Sequence, residues 1–247
     1  MRRASGSNGP WSSSSPNTEE RALKTHFNLT ASEYEQARTG HLHRRRRDLV
    51  AGELAERAQS GDRVLEIGCG PGALLSDLAS LHDDVAFLGI DVDPKMIAHA
   101  RERHARDNVR YELVDLRHET PEEPADFAFS IDVLHHVGDL GAFLAGVHRS
   151  LRPHATWLAI EPNVFHPYVL VSQERMRRAG HDEDHFRPWR TEPLFTEAGF
   201  ELLDRRYAFF FPGWMQRVPP AVARIEPPLE RFRLLGGSVV YRLERAT

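Results

Sequence analysis

Between Val64 and Gly72 the chain reads Val-Leu-Glu-Ile-Gly-Cys-Gly-Pro-Gly. A short run, apolar but for Glu66, gives way to three glycines in five positions, and a helix-like pattern follows. An apolar run of this length suits a buried strand, and glycines clustered at its end mark a turn where backbone passes close to something. Glycines at 68, 70 and 72 leave main-chain N–H groups uncovered at a strand-to-helix corner, within reach of a bound ligand. A tight βα turn also uses glycine for steric reasons alone, so the stretch must be weighed with what flanks it.

Downstream, the pattern predicts a helix over 74–81 and a strand over 85–91. Asp93 and Pro94 then open a helix as N-cap and first residue, with Met96, Ile97 and Ala100 as its apolar stripe. A strand over 109–114 ends before Asp115 and a polar loop to Pro124. Residues 127–131 form another apolar run, and Leu140, Phe143, Leu144, Val147 and Leu151 recur at helical spacing. A fifth strand is expected over 155–160. Strands alternating with helices imply a doubly wound α/β fold, its sheet parallel and wrapped on both faces.

The flanks differ in character. Residues 1–18 are rich in Ser, Gly, Pro and Asn and are expected to be a disordered tail. Residues 19–60 read as an N-terminal helical cap: one helix containing Phe27, Leu29 and Tyr34, and a second over 41–59. Its Arg44-Arg45-Arg46-Arg47 run is expected to be a solvated face. Helical patterns over 167–179 and 191–198 precede two β-rich runs, 200–211 and 238–244. Only the Pro-rich stretch 212–235 separates these runs, which fits an antiparallel pair at a sheet edge. The expected organisation is one domain over 19–247, with 162–195 and 212–236 as substrate-side insertions.

Composition removes several function classes. A net charge of −4 supplies no electrostatic case for nucleic acid. The single cysteine, Cys69, excludes an intramolecular disulfide and argues against a Cys-based zinc site. No stretch approaches the ~20 apolar residues of a membrane span, and residues 1–6 lack the apolar core of a secretory signal. A cytoplasmic protein is expected, with monomer and homodimer both open.

In a doubly wound sheet, ligands lie beyond the carboxyl ends of the strands, at the switch point beside the first strand. Asp91 ends the second strand about 20 residues beyond Gly68, the offset at which an acid meets a ribose hydroxyl pair. Its two oxygens can accept from neighbouring hydroxyls together. Asp115 holds the same position on the third strand. A nicotinamide-dinucleotide enzyme is the competing reading, but its fingerprint is Gly-x-Gly-x-x-Gly. Here the glycines run Gly-x-Gly-x-Gly, with Pro71 between the last two.

Residues 64–72, taken with Gly89-Ile90-Asp91-Val92-Asp93-Pro94, resemble the class I S-adenosylmethionine-dependent methyltransferases. Val114-Asp115-Leu116, the stretch from Asp126 to His136, and Ala198-Gly199-Phe200 are similar to that family's later motifs, in order. The resemblance covers roughly residues 45–211. It implies a seven-stranded sheet whose last strand is antiparallel, with S-adenosylmethionine as cofactor and S-adenosylhomocysteine as product. It further implies that Glu66, Gly68, Cys69, Gly70 and Gly72 hold the methionine end. Asp91 would bind the ribose, Val92 and Met96 pack on adenine, and Asp115 with the Leu116 backbone read the adenine amino edge. Ser130 and Ile131 would contact the methionine portion through backbone, and Tyr34 would close over the cofactor.

The acceptor side is less constrained. A general base helps only where the acceptor must lose a proton, and the candidates are His136, favoured by its place beside the cofactor-contacting segment, and His166. His181 and His185 could hold a divalent metal if helical, but a polar run after Gly180 reads as a solvated loop, and no bound metal is expected. Tyr168, Trp189, Phe209, Phe210, Phe211, Trp214 and Met215 gather late in the chain and point to an apolar or aromatic small-molecule acceptor. Two alternatives remain: the fold used for cyclisation or decarboxylation, or a catalytically idle partner subunit.

Overall fold

The computed structural model describes residues 30–178 and 186–247. The predicted tail, Phe27, Leu29 and the 181–185 run lie outside them. Side-chain alternation sorts one strand after another onto two cores. In β1 (Arg63–Ile67), Val64 enters one core while Leu65 and Ile67 enter the other. In β5 (Leu151–Pro162), Leu158 and Ile160 face the first, and Trp157 and Ala159 the second.

The other strands are β2 (Ala86–Asp91), β3 (Val109–Leu113), β4 (Ala125–Ile131), β6 (Phe200–Ala208) and β7 (Ser238–Arg245). They form a seven-stranded sheet in the order β3-β2-β1-β4-β5-β7-β6. Strands β1 to β5 pair in parallel, and β7 runs antiparallel between β5 and β6. The expected sheet and its antiparallel last strand are therefore present.

Helices α1 (Ala31–Ala37) and α2 (His41–Arg57) form the cap. Helices α3 (Ala73–Ala79) and α4 (Pro94–Arg103) pack with α2 on the Val64 side, through Val50, Leu54, Leu75, Leu78, Ile97 and Ala100. On the Leu65 side lie α5 (Leu140–Arg149) and α7 (Pro188–Glu197), through Phe143, Leu144, Val147 and Phe195. Helix α6 (Pro167–Arg178) and the short α8 (Pro220–Ala223) and α9 (Glu226–Glu230) lie in the stretches 162–195 and 212–236. Caps set the helix starts: Asp93 accepts from Lys95 N–H at 2.9 Å, and Thr30 and Glu33 form a capping box on α1. No helix among the described residues is long and apolar enough to cross a membrane.

Among the strands, the start of β5 and the end of β6 depart furthest from the sequence pattern. β5 begins at Leu151 rather than 155, because a register shift against β4 absorbs Arg152, Pro153 and His154, with His154 at φ +65°. β6 stops at Ala208 rather than 211, because Phe209 turns to φ +63° and ends the extended run. That turn releases the Phe triplet from strand alternation. Phe209 and Phe211 are buried, and Phe210 is half-buried against His166.

A buried acid fastens the cap to the far side of the sheet. Glu53 of α2 pairs with Arg242 of β7, with Arg57 at 3.1 Å and with Arg206 at 3.4 Å. Burial alone would raise the Glu53 carboxyl, but the hydrogen bonds and charges of Arg242 and Arg57 outweigh it and hold it below its usual range. Its stabilising contribution is therefore complete above the unfolded carboxyl value of about 4.3 and fades as pH falls through the lower folded value. Glu53→Gln should cost about 2–3 kcal/mol at neutral pH by leaving Arg242 without its charge partner. The gap from the parent should close in acid. Urea titrations at neutral pH and near pH 3 measure both, and an unchanged neutral midpoint would contradict the assignment.

Candidate active site

The corner after β1 is shaped by what glycine permits. Gly72 sits at φ +90°, and a Cβ there would lie 2.7 Å from Ala100 Cβ and 2.8 Å from the Tyr111 ring. Close packing of α3 and α4 accordingly forbids a side chain. Gly70 also has positive φ, +52°, but a Cβ there would meet only Tyr34 Cε1, at 3.6 Å. The Tyr34 ring of the cap lies over it. The expectation of uncovered N–H groups at this corner is corrected: Gly68 N–H donates to the Ile90 carbonyl, Gly70 N–H to Asp91 and Gly72 N–H to the Cys69 carbonyl, so the glycines serve the shape of the turn. Burial raises the Tyr34 hydroxyl above its ordinary range, and the Arg38 guanidinium stacks 4.4 Å from its ring centre.

Asp91, the last residue of β2, reaches across to this corner. One carboxylate oxygen accepts from Gly70 N–H at 2.8 Å, and the other from Asp93 N–H at 2.9 Å. Each oxygen retains capacity for a second donor. Burial raises this carboxyl, and the Asp93 and Gly70 N–H groups oppose the rise.

Glu66 lies beneath the corner, 5% exposed. Its Oε2 has no hydrogen-bond partner among the described residues. Burial, and then repulsion from Asp91, push its carboxyl well above the ordinary range. A buried acid with an unused oxygen beside a second acid is the environment that a cationic group stabilises. The space above Gly70, spare acceptor capacity on Asp91 and the unused Glu66 oxygen thus fit a ligand bearing both hydroxyls and a cationic end.

Cys69 is buried, and burial pushes its thiol well above the ordinary value, so it contributes backbone rather than nucleophilic sulfur. Val92 is 58% exposed beyond the strand end, whereas Met96 is buried on α4. Asp115 follows β3, but Arg117 engages both of its oxygens at 2.6–3.1 Å. A ligand amino group there would have to share this carboxylate. Leu116 is buried, with its carbonyl set against Gly146 of α5. Ser130 Oγ faces the Trp157 core and accepts from Nε1 at 3.2 Å, so only its backbone, with that of Ile131, belongs to the strand-end surface.

The residues that position the turn after β4 escape sequence reasoning. Asp132 takes φ +58° and receives Arg46 from the cap through two bonds, at 2.7 and 2.9 Å. Arg38 adds a contact at 3.5 Å. Burial would raise the Asp132 carboxyl, yet Arg46 and Arg38 hold it far below the usual range. The expectation of a solvated arginine face is therefore corrected. Arg44 and Arg47 are exposed, but Arg46 is 5% exposed, and Arg45 pairs with Glu226 and Glu230. Periodicity shows that the four diverge, not which one meets an acid. On the same helix His43 is driven down to about 3, by burial and then by Arg46 and Arg38, and stays neutral.

Glu161, fully buried at the end of β5, accepts from the Val133 and Leu134 N–H groups at 2.9 and 2.8 Å and meets His135 Nδ1 at 2.8 Å. The His136 ring lies tilted against His135, with ring centres 3.8 Å apart. His166 follows β5 and is 9% exposed. Its Nδ1 has no partner among the described residues, and burial pulls its imidazole below the ordinary value. Phe210 stands edge-on to it at 6.5 Å, and Tyr168 and Trp214 lie 6.4 Å apart across the two insertions.

A family model described as a methyltransferase domain matches residues 65–156. A probable S-adenosylmethionine-dependent methyltransferase from Mycolicibacterium smegmatis is 33% identical over 123 residues, 48% of this chain and 45% of that protein. The chain thus spans about half the length of that relative. A ubiquinone biosynthesis O-methyltransferase from Azorhizobium caulinodans is 30% identical over 185 residues, 67% of this chain and 71% of that one. The N-methyltransferase NodS from Bradyrhizobium japonicum, solved with S-adenosylhomocysteine, matches with a TM-score of 0.60 at 16% identity. That likeness, over 92% of this chain and 96% of the other, speaks for the fold. Sequence relatives and architecture agree, and the chain belongs to the class I S-adenosylmethionine-dependent methyltransferase family.

Proposed function

We propose that this protein transfers the methyl group of S-adenosylmethionine to an apolar or aromatic small molecule, at a hydroxyl or an amine. The observation that carries the reading is the pairing of two surfaces at the carboxyl ends of the strands. One is the acid-lined glycine corner. The other is the aromatic wall around His166, Phe210, Tyr168 and Trp214.

When bound, the donor supplies a methyl group already activated on a sulfonium. The chain's own residues bind and orient it. Glu66 offers its unused oxygen to the cationic methionine end, and Gly68, Cys69, Gly70 and Gly72 shape the turn that receives it. Asp91 offers its remaining acceptor capacity to the ribose hydroxyls, Val92 and Met96 offer apolar surface to the adenine, and Asp115 with the Leu116 backbone meets its amino edge. The main chain at Ser130 and Ile131 flanks the methionine portion, and Tyr34 covers the corner. Positioning and exclusion of water supply most of the rate in such a displacement.

Asp91→Asn should weaken binding of S-adenosylhomocysteine by about tenfold or more, the loss of one charge-assisted hydrogen bond. Calorimetry reads this, on a variant whose circular dichroism matches that of the parent. Equal affinity in parent and variant would remove Asp91 from the ribose site. With phenolic and amine acceptors, S-adenosylhomocysteine should appear in step with methylated product. Product formed without it would instead favour non-methyl-transfer chemistry.

For a hydroxyl acceptor we favour His166 over His136 as base, because burial keeps its imidazole neutral and its Nδ1 has no partner among the described residues. His166→Ala should lower kcat by about 10²–10⁴-fold, with little effect on KM. Since the folded imidazole lies below the ordinary ~6.5, the basic form persists at neutral pH. The kcat/KM profile should fall only on the acid side of that value. An unchanged kcat in His166→Ala, with loss in His136→Ala, would assign the base to His136.

A further inference from the structure

Away from the strand ends, three side chains meet between the cap and α4. Glu35 Oε2 lies 2.9 Å from His99 Nε2 and 3.2 Å from His104 Nε2. All three ligand atoms fall within 4.8 Å of one another. Glu35 belongs to α1, His99 to α4, and His104 is the residue that caps the end of α4. Their side chains are 16–31% exposed, shielded enough to be held in place and open enough for an ion to enter.

We propose that Glu35, His99 and His104 form a zinc site that clasps the cap helix to α4. The donor set has the right chemistry, since two imidazole nitrogens and one carboxylate oxygen satisfy a borderline cation and leave a fourth position for water. The distances suit it as well. Ligand arms of about 2.0–2.2 Å at tetrahedral angles put neighbouring donor atoms about 3.3–3.5 Å apart, close to the separations around Glu35. A calcium or magnesium site would instead call for an oxygen-rich shell, which two histidines do not offer.

The position of the clasp gives it a consequence. Tyr34, beside Glu35 on α1, lies over Gly70, and Arg38 just after α1 reaches Asp132. A metal at Glu35 would replace its hydrogen bonds to His99 and His104 by ligand bonds, strengthening the tether of this segment on the α4 side. Coordination would raise the population of the closed cap, so an adenosyl ligand beneath Tyr34 would bind more tightly with zinc present. That second step rests on the cofactor site proposed above, whereas the zinc site itself does not.

The test uses the untagged full chain, metal-stripped, with zinc alone as the first probe. One equivalent of zinc should bind, and cobalt(II) in its place should give the visible d–d bands of a tetrahedral site. Glu35→Gln and His99→Ala, each with parental circular dichroism, should weaken zinc binding by at least about tenfold and abolish the cobalt bands. Absence of zinc binding, or binding equal in parent and both variants, would overturn the site. Zinc should also tighten S-adenosylhomocysteine binding by about threefold or more in the parent and leave Glu35→Gln unchanged. Equal affinity with and without zinc would overturn the clasp. Failure to bind S-adenosylhomocysteine under either condition would strike the cofactor reading and leave the zinc result standing.

Discussion

The Asp91 carboxylate bridges two neighbouring turns. By accepting from Gly70 N–H and Asp93 N–H, it joins the loop after β1 to the loop after β2. Charge-assisted bonds of this kind are stronger than neutral ones, and here they are made out of bulk water. They hold Gly70 against Tyr34, while close packing at Gly72 fixes where α3 begins. Glu66 then lies beneath a rigid corner with an oxygen it cannot satisfy internally. A fold that buries two acids side by side carries a cost that a cationic ligand relieves.

Specific ion pairs add direction to the apolar contacts of Val50 and Leu54 in holding the cap to the sheet. Arg46 and Arg38 converge on Asp132, Glu53 gathers Arg242, Arg206 and Arg57, and Arg45 joins Glu226 and Glu230. Buried pairs are weak evidence for net stability, because desolvation offsets the attraction. Their directionality fixes how α2 sits on the sheet, and with it where Tyr34 and His43 stand. Asp132 accepts a left-handed backbone to take part, strain that its paired guanidiniums compensate.

Local pattern made the centre of the molecule legible. The apolar run before Gly68, the acid ending β2 and the cap at Asp93 are each encoded within a few residues, and they fall where expected. What depends on partners distant in sequence was not legible. Arg46 meets Asp132 across 86 positions, Glu161 meets His135 across 26, and Glu35 meets His99 and His104 across 64 and 69. Neither helical nor strand periodicity encodes such pairings. The Arg117 clamp on Asp115 is local, yet its arginine shows no pattern apart from any other loop residue. The bulge at His154 and the turn at Phe209 both rest on positive φ at non-glycine residues, a conformation that residue type seldom announces.

The central claim, that the corner between β1 and β2 receives an adenosyl ligand with its cationic end on Glu66, is tested most directly by a crystal structure with S-adenosylhomocysteine. The expected result places the ribose hydroxyls on Asp91 and the ligand's amino group on Glu66 Oε2, directly or through one water. A ligand bound elsewhere, or one that leaves Glu66 Oε2 still without a partner, would contradict it.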